Sequence, residues 1–227
     1  MNIRKTVEVF GDSILKGVQL DPLNMRYRVD NNIDVGLIEK KHSLSIRNFS
    51  KFGCTITKGL SMIENRLKNN EPSCDAILMN LGGNDCDFNW KAISERPEDE
   101  HMPNTPLDIF VDTYRKVIDL LKEKRIRPVL ATLPPLDAQK FFQWFCGSLN
   151  KENVLKWLGS VDTIYNWQEN YSKTVEKIAH ETGTLIVDLR GAFLKHKKPE
   201  PFLCEDGTHP NTEGQKLITQ AFMELVL

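Results

Sequence analysis

The sequence predicts a three-layer α/β/α sandwich on a five-stranded parallel sheet, with the flavodoxin-like strand order 2-1-3-4-5. Three observations predict it. Five short apolar stretches alternate with four stretches of helical periodicity, the pattern of successive βαβ crossovers. Asp75-Ala76-Ile77-Leu78-Met79-Asn80-Leu81 is almost continuously apolar, as a central strand covered on both faces should be. Residues with chemical potential fall just after the strands, at the sheet edge where open α/β folds keep their ligand sites.

The first strand covers Thr6 to Phe10, whose β-branched and aromatic residues suit a half-buried pleated surface. Gly11 then allows the backbone angles of a sharp turn, which delivers Ser13. Residues 14–17 read as a brief helical turn. Residues 21–41 hold Pro22, Asn24 and the Asp30-Asn31-Asn32 cluster, and read as a surface loop with room for a short hairpin. Alternation from Ser43 to Phe49 gives the second strand, followed by Gly53. Ile56, Leu60, Ile63 and Leu67 recur at helical spacing, so 55–69 is an amphipathic helix. The third strand is the apolar run of 75–81, ending in Gly82-Gly83-Asn84-Asp85.

From Cys86 to Pro106 the composition turns polar and includes three prolines, which reads as a long loop. A stripe through Phe110, Tyr114, Val117 and Leu121 marks the next helix. Arg127 to Leu133 is the fourth strand, stopped by Pro134-Pro135. Residues 137–160 are rich in rings, among them Phe141, Trp144, Phe145 and Trp157. These either pack a helix against the sheet, the reading favoured by the sequence, or wall a pocket. A helix through Ile164, Tyr171 and Ile178 ends at Gly183, a good C-cap residue. Thr184 to Leu189 is the fifth strand. A loop with Asp206-Gly207-Thr208-His209-Pro210 precedes a closing helix through Leu217, Ile218 and Phe222. There is no internal repeat or low-complexity linker, so 1–227 reads as one domain, with 86–106 and 137–160 as substrate-shaping insertions.

Composition narrows the classes. With 40% apolar and 27% charged residues the chain is globular rather than disordered. A net charge of -1 supplies no field to recruit nucleic acid or anionic membrane, so neither is an expected partner. The five cysteines are widely spaced without a CxxC pair, which suggests neither a zinc site nor a disulfide framework. No metal and no cofactor are expected. No apolar run approaches the ~20 residues of a transmembrane helix. Met1 to Lys5 leads straight into the first strand, so a cytoplasmic location is expected.

The predicted sheet edge gathers a hydroxyl, a glycine amide, a carboxamide, a carboxylate and an imidazole. Ser13 is a potential nucleophile, but a free hydroxyl is weak at neutral pH and needs a base. His209 suits that role, because an unperturbed imidazole titrates near the operating pH. Asp206 would fix the imidazole tautomer and stabilise the imidazolium. The amides of Ser13 and Gly53 and the Asn84 side chain would donate to a developing oxyanion. Each residue also has a purely structural reading: Ser13 a helix N-cap, Gly53 a turn glycine, Gly82 to Asp85 a turn, Asp206 and His209 a cap and a surface histidine. Those readings compete well singly and poorly together, because all the residues follow strand ends predicted independently.

Four blocks carry a family resemblance. Gly11-Asp12-Ser13-Ile14, Gly53, Gly82-Gly83-Asn84-Asp85 and Asp206-Gly207-Thr208-His209 resemble, in order, the motif blocks of the SGNH/GDSL hydrolases. The blocks run from the first strand to the closing helix, so the resemblance spans the chain. It implies a metal-free serine hydrolase with Ser13, Asp206 and His209 as catalytic residues and Ser13, Gly53 and Asn84 as the oxyanion hole. The implied substrates are small-molecule carboxylic esters cleaved through an acyl-enzyme, with thioesterase or lysophospholipase activity as alternatives. If both insertions wall the pocket, short acyl groups such as acetyl are favoured. The Gly-x-Ser-x-Gly elbow of ordinary α/β hydrolases is absent. A flavodoxin-like binding module is the competing class, but the first loop lacks the P-loop lysine and a cradle of Ser, Thr and Gly amides. A hydrolase fold turned into a non-catalytic binder is the third; intact Ser13 and His209 argue against it.

Overall fold

Both faces of the central sheet are covered by helices, and each strand shows why. In the computed structural model, which describes residues 5–30, 32–68 and 74–225, β1 (Lys5–Gly11) sends Phe10 to one apolar core and Val9 to the other. β5 (Ala76–Asn80) does the same, with Ile77 and Met79 on one face and Ala76 and Leu78 on the opposite one. A strand buried on both sides needs apolar residues at consecutive positions, which is the run seen in the sequence. The remaining strands are β4 (Leu44–Asn48), β6 (Arg127–Ala131) and β7 (Leu185–Val187).

The five strands pair in parallel in the order β4-β1-β5-β6-β7, with Val7 opposite Ile46, Val9 opposite Leu78 and Leu78 opposite Val129. Counting only these five in chain order, this is the expected 2-1-3-4-5. One face carries α2 (Ile56–Leu67), α4 (Leu107–Glu123) and α7 (Asp162–Thr182), whose Ile63, Phe110, Tyr114 and Tyr171 are fully buried. The other carries α1 (Val35–His42), α8 (Leu189–Leu194) and α9 (Thr212–Glu224), with Ile218 and Phe193 at its centre. Glu8, buried in β1, is held by Arg47 at 3.1 Å and by Arg66 of α2 at 2.9 Å.

Several stretches differ from expectation. Around residues 21–41 the short hairpin for which the sequence left room is formed by β2 (Val18–Asp21) and β3 (Arg26–Val29), paired antiparallel, but the helix α1 that follows was not expected. The hairpin turn uses Met25 in the left-handed region at φ 54°, so no glycine announced it. The loop 86–106 contains α3 (Trp90–Glu95), capped by the Asn89 side chain on the Ala92 amide. Residues 137–160 form two helices, α5 (Ala138–Phe145) and α6 (Lys151–Leu158). Their rings pack with those of Phe88 and Trp90 into a third apolar cluster, instead of against the sheet as the sequence favoured. β7 is shorter than expected, because Asp188 caps α8 where the strand was to continue. Gly11 owes its place to crowding, since a Cβ there would lie 2.9 Å from Ser50 Oγ; its φ is not positive. Asn31, residues 1–4 and the end of the expected helix 55–69 lie outside the described residues.

Candidate active site

Immediately after β1 the chain turns on its own side chain: Asp12 Oδ1 accepts the Ile14 amide at 2.8 Å, and Asp12 O accepts the Lys16 amide at 3.1 Å. This Asx-type turn lifts Ser13 out of the strand at the carboxyl edge. Across the edge, the loop before α9 is folded around Asp206. Its Oδ1 accepts the backbone amides of Thr208 and His209, each at 3.0 Å. Gly207 supplies the left-handed φ of 73° that the turn requires. Asp206 Oδ2 is thereby left for the imidazole, 2.6 Å from His209 Nδ1. His209 Nε2 lies 2.9 Å from Ser13 Oγ. The three groups form one line from hydroxyl to buried carboxylate.

Burial disfavours ionisation of Asp206, but the hydrogen bonds and charge of His209 outweigh it and hold its carboxyl below the ordinary carboxylate range. Two other carboxyls nearby go the opposite way. Burial lifts Asp12 to about 6 against the pull of the Ile14 amide. Burial likewise lifts Asp85 to about 6, opposed by the Thr105 hydroxyl and by the Ile56 amide at the start of α2. Asp85 is thus a helix-terminal acceptor under the site, favoured there by the dipole of α2.

Asn84 links the two loops that carry the other predicted oxyanion donors. Gly53 sits at φ 66° with open space where a Cβ would be. Among the described residues, neither the Ser13 nor the Gly53 amide has a hydrogen-bond acceptor. Asn84 Nδ2 lies 3.3 Å from Asp12 Oδ2 and 3.3 Å from the carbonyl of Cys54, the residue after Gly53. The carboxamide therefore bridges the Ser13 turn and the Gly53 loop. Ser13, Asn84 and His209 line a cavity of about 790 Å³, Asp206 is wholly buried behind His209, and Gly53 lies beside the cavity-lining Phe52.

Sequence reasoning offered Trp144 as a pocket wall but missed Tyr27 and Phe52 in the aromatic rim of this cavity. Tyr27 of β3 lies 5.0 Å from the His209 ring, Phe52 stacks at 6.0 Å, and Trp144 meets Tyr27 at 6.2 Å. Burial and the Asp206 charge raise the Tyr27 hydroxyl above its ordinary pKa. The polar neighbours of Tyr27 gave no signal, and the hairpin that the sequence allowed did not by itself say that β3 would bring Tyr27 against His209. The partnership of Asp12 with Asn84 was also missed, although both lie within blocks already singled out.

The fold and this constellation define a class: a parallel α/β sandwich with serine, histidine and aspartate in hydrogen-bonded sequence at its carboxyl edge. The chain belongs to the GDSL-like Lipase/Acylhydrolase family, whose family model matches residues 9–217. It is 25% identical over 130 residues to the GDSL esterase/lipase WDL1 of Oryza sativa subsp. japonica, a match covering 55% of this chain and 45% of that protein. The chain thus spans under half the length of that relative. Among solved structures it resembles a catalytic mutant of Axe2, an acetylxylan esterase from Geobacillus stearothermophilus. That likeness has a TM-score of 0.67 and 20% identity, over all of this chain and 98% of the other. It also resembles a lipase/acylhydrolase from Enterococcus faecalis, with TM-score 0.64 and 16% identity over 97% and 94% of the two chains. These two likenesses concern the fold. Among the described residues, no helix is long and apolar enough to cross a membrane.

Proposed function

We propose that this protein is a serine esterase that hydrolyses small-molecule carboxylic esters through an acyl-enzyme, with Ser13, His209 and Asp206 as its catalytic triad. The observation that carries the reading is the line of hydrogen bonds from Ser13 Oγ to His209 at 2.9 Å and from His209 to Asp206 at 2.6 Å. Ser13 Oγ attacks the ester carbonyl while His209 Nε2 takes its proton, and Asp206 stabilises the imidazolium. The tetrahedral oxyanion is met by the free amides of Ser13 and Gly53 and by Asn84 Nδ2, which releases its 3.3 Å contact to Asp12 or to the Cys54 carbonyl to donate there. Collapse expels the alcohol, which receives the proton from His209. Water, deprotonated by the same nitrogen, then attacks the acyl carbon and releases the acid and Ser13.

A short acyl group, acetyl included, suits the end beside Ser13, where Tyr27 and Phe52 stand against the His209 ring, leaving the body of the cavity for the alcohol part. The walls contributed by 86–106 and 137–160 favour that division, and the acetylxylan esterase activity of a structural neighbour is compatible with it. The five buried, unpaired thiols support a reducing, cytoplasmic setting. The test is hydrolysis of p-nitrophenyl esters of increasing chain length by the wild type and by Ser13→Ala. Activity should peak at short acyl groups and fall by several orders of magnitude in the variant. A peak at long chains overturns the acyl preference, and an active Ser13→Ala protein overturns the mechanism.

A further inference from the structure

The cavity leading away from Ser13 has an unusual lining. All four tryptophans of the chain face it: Trp90, Trp144, Trp157 and Trp167. The rings are arranged against one another, with Trp90 and Phe145 stacked at 4.1 Å and Phe88 edge-on to Trp157 at 5.0 Å. The charged side chains lining it are all carboxylates, Asp12, Asp87 and Asp108; among the described residues no lysine or arginine lines it. In a chain with 30 Lys and Arg against 31 Asp and Glu, that separation of sign is a property of the cavity and not of the composition.

Asp87 is the informative member. It lies on the loop just beyond Asn84, and its Oδ1 accepts the Trp90 indole N–H at 2.7 Å. Among the described residues no Lys, Arg or His neutralises it, and burial raises its pKa above the ordinary carboxylate value. A carboxylate held among rings without a counter-charge is costly, and a cation entering the cavity would remove that cost. Indole faces attract cations through their quadrupole, most strongly when the cation is desolvated. At the tryptophan end, an alcohol part carrying a phosphate or free carboxylate would face the Asp87 and Asp108 carboxylates, with the His101 imidazole also in the lining.

We infer that the alcohol part of the ester carries a positive charge on an apolar body, as a quaternary or protonated amino alcohol, received by the tryptophan-lined cavity and Asp87. The inference rests on the esterase reading above and specifies the substrate class of the same site. The test compares kcat/KM for acetylcholine with that for neohexyl acetate, its uncharged carbon isostere, with p-nitrophenyl acetate as a common reference. Acetylcholine should be favoured by roughly tenfold, the scale of a desolvated cation–π contact. Asp87→Asn should reduce that ratio at least threefold. Equal rates, or preference for the isostere, in a protein that still cleaves p-nitrophenyl acetate overturn the inference and leave the esterase reading standing. If p-nitrophenyl esters are cleaved at no chain length, the esterase reading fails, and tryptophan quenching decides the cation site by itself. Saturable quenching by tetramethylammonium that weakens in Asp87→Asn supports the site; no quenching overturns it.

Discussion

Ser13 is only 7% exposed and its hydroxyl already faces an imidazole, so a carbonyl must come to it through the cavity. In the proposed mechanism Ser13 and His209 act on one proton, so their losses should not add. Ser13→Ala and His209→Ala should each lower kcat by several orders of magnitude, and the double variant by little more; steady-state kinetics on one ester checks this, and additive losses would show that the two side chains act separately. Asn84 is a different case, because a proposed oxyanion donor gains strength only as charge develops on the carbonyl oxygen. Asn84→Ala should reduce kcat by roughly 10²-fold with KM little changed; a change in KM alone would assign Asn84 to binding. These side chains were legible in the sequence because each sits in a short turn whose residue types are dictated locally. Tyr27 and Phe52 were not, since their nearness to His209 depends on how a hairpin and a loop fold over the sheet edge.

Among the elements, the turn from Asp206 to His209 depends on its seat against α5. The Gly207 carbonyl accepts the Asp137 amide at 2.8 Å, and a Cβ on Gly207 would come within 2.6 Å of both Asp137 O and Phe141 N. Those neighbours are backbone atoms and cannot swing aside. Gly207→Ala combines that clash with an unfavourable φ, and should cost more than about 1 kcal/mol of stability while lowering kcat through displacement of His209. Thermal unfolding and kinetics on the same sample check it; an unchanged kcat would mean that the turn does not position the imidazole. The long elements were legible because their periodicity is strong, as in the Phe110, Tyr114, Val117 and Leu121 stripe of α4. α3 was hidden because it spans only Trp90–Glu95 between prolines and polar residues, and its packing partners lie in α6.

For the molecule as a whole, burying acids beneath the active site has a consequence in pH. Asp12 and Asp85 have folded pKa values of about 6, above the ~4 of an unfolded carboxyl. Between those values the native state holds protons that the unfolded chain has released, so stability falls as pH rises through this window. The full penalty, about 1–3 kcal/mol for each group, applies above pH ~6 and is absent below pH ~4. Asp206 has the opposite sign: its depressed folded pKa contributes stability above the unfolded value, lost as pH falls through the folded one. Tm should therefore rise as pH is lowered from about 7.5 to 5 and drop in stronger acid, with a shallower rise in Asp12→Asn; calorimetry across that range checks it, and a Tm that climbs steadily with pH would contradict it. At this scale the strand order was legible, because buried parallel strands advertise themselves as apolar runs. The aromatic cluster was not, since Phe88 and Trp90 meet Phe145 and Trp157 only after two distant stretches have folded together. Covalent labelling with a fluorophosphonate, read by intact-protein and peptide mass spectrometry, tests the proposed nucleophile most directly. One equivalent should attach to the Ser13 peptide, and labelling should vanish in Ser13→Ala and nearly so in His209→Ala. Equal labelling of Ser13→Ala, or attachment to another residue in the wild type, would contradict Ser13 as the nucleophile.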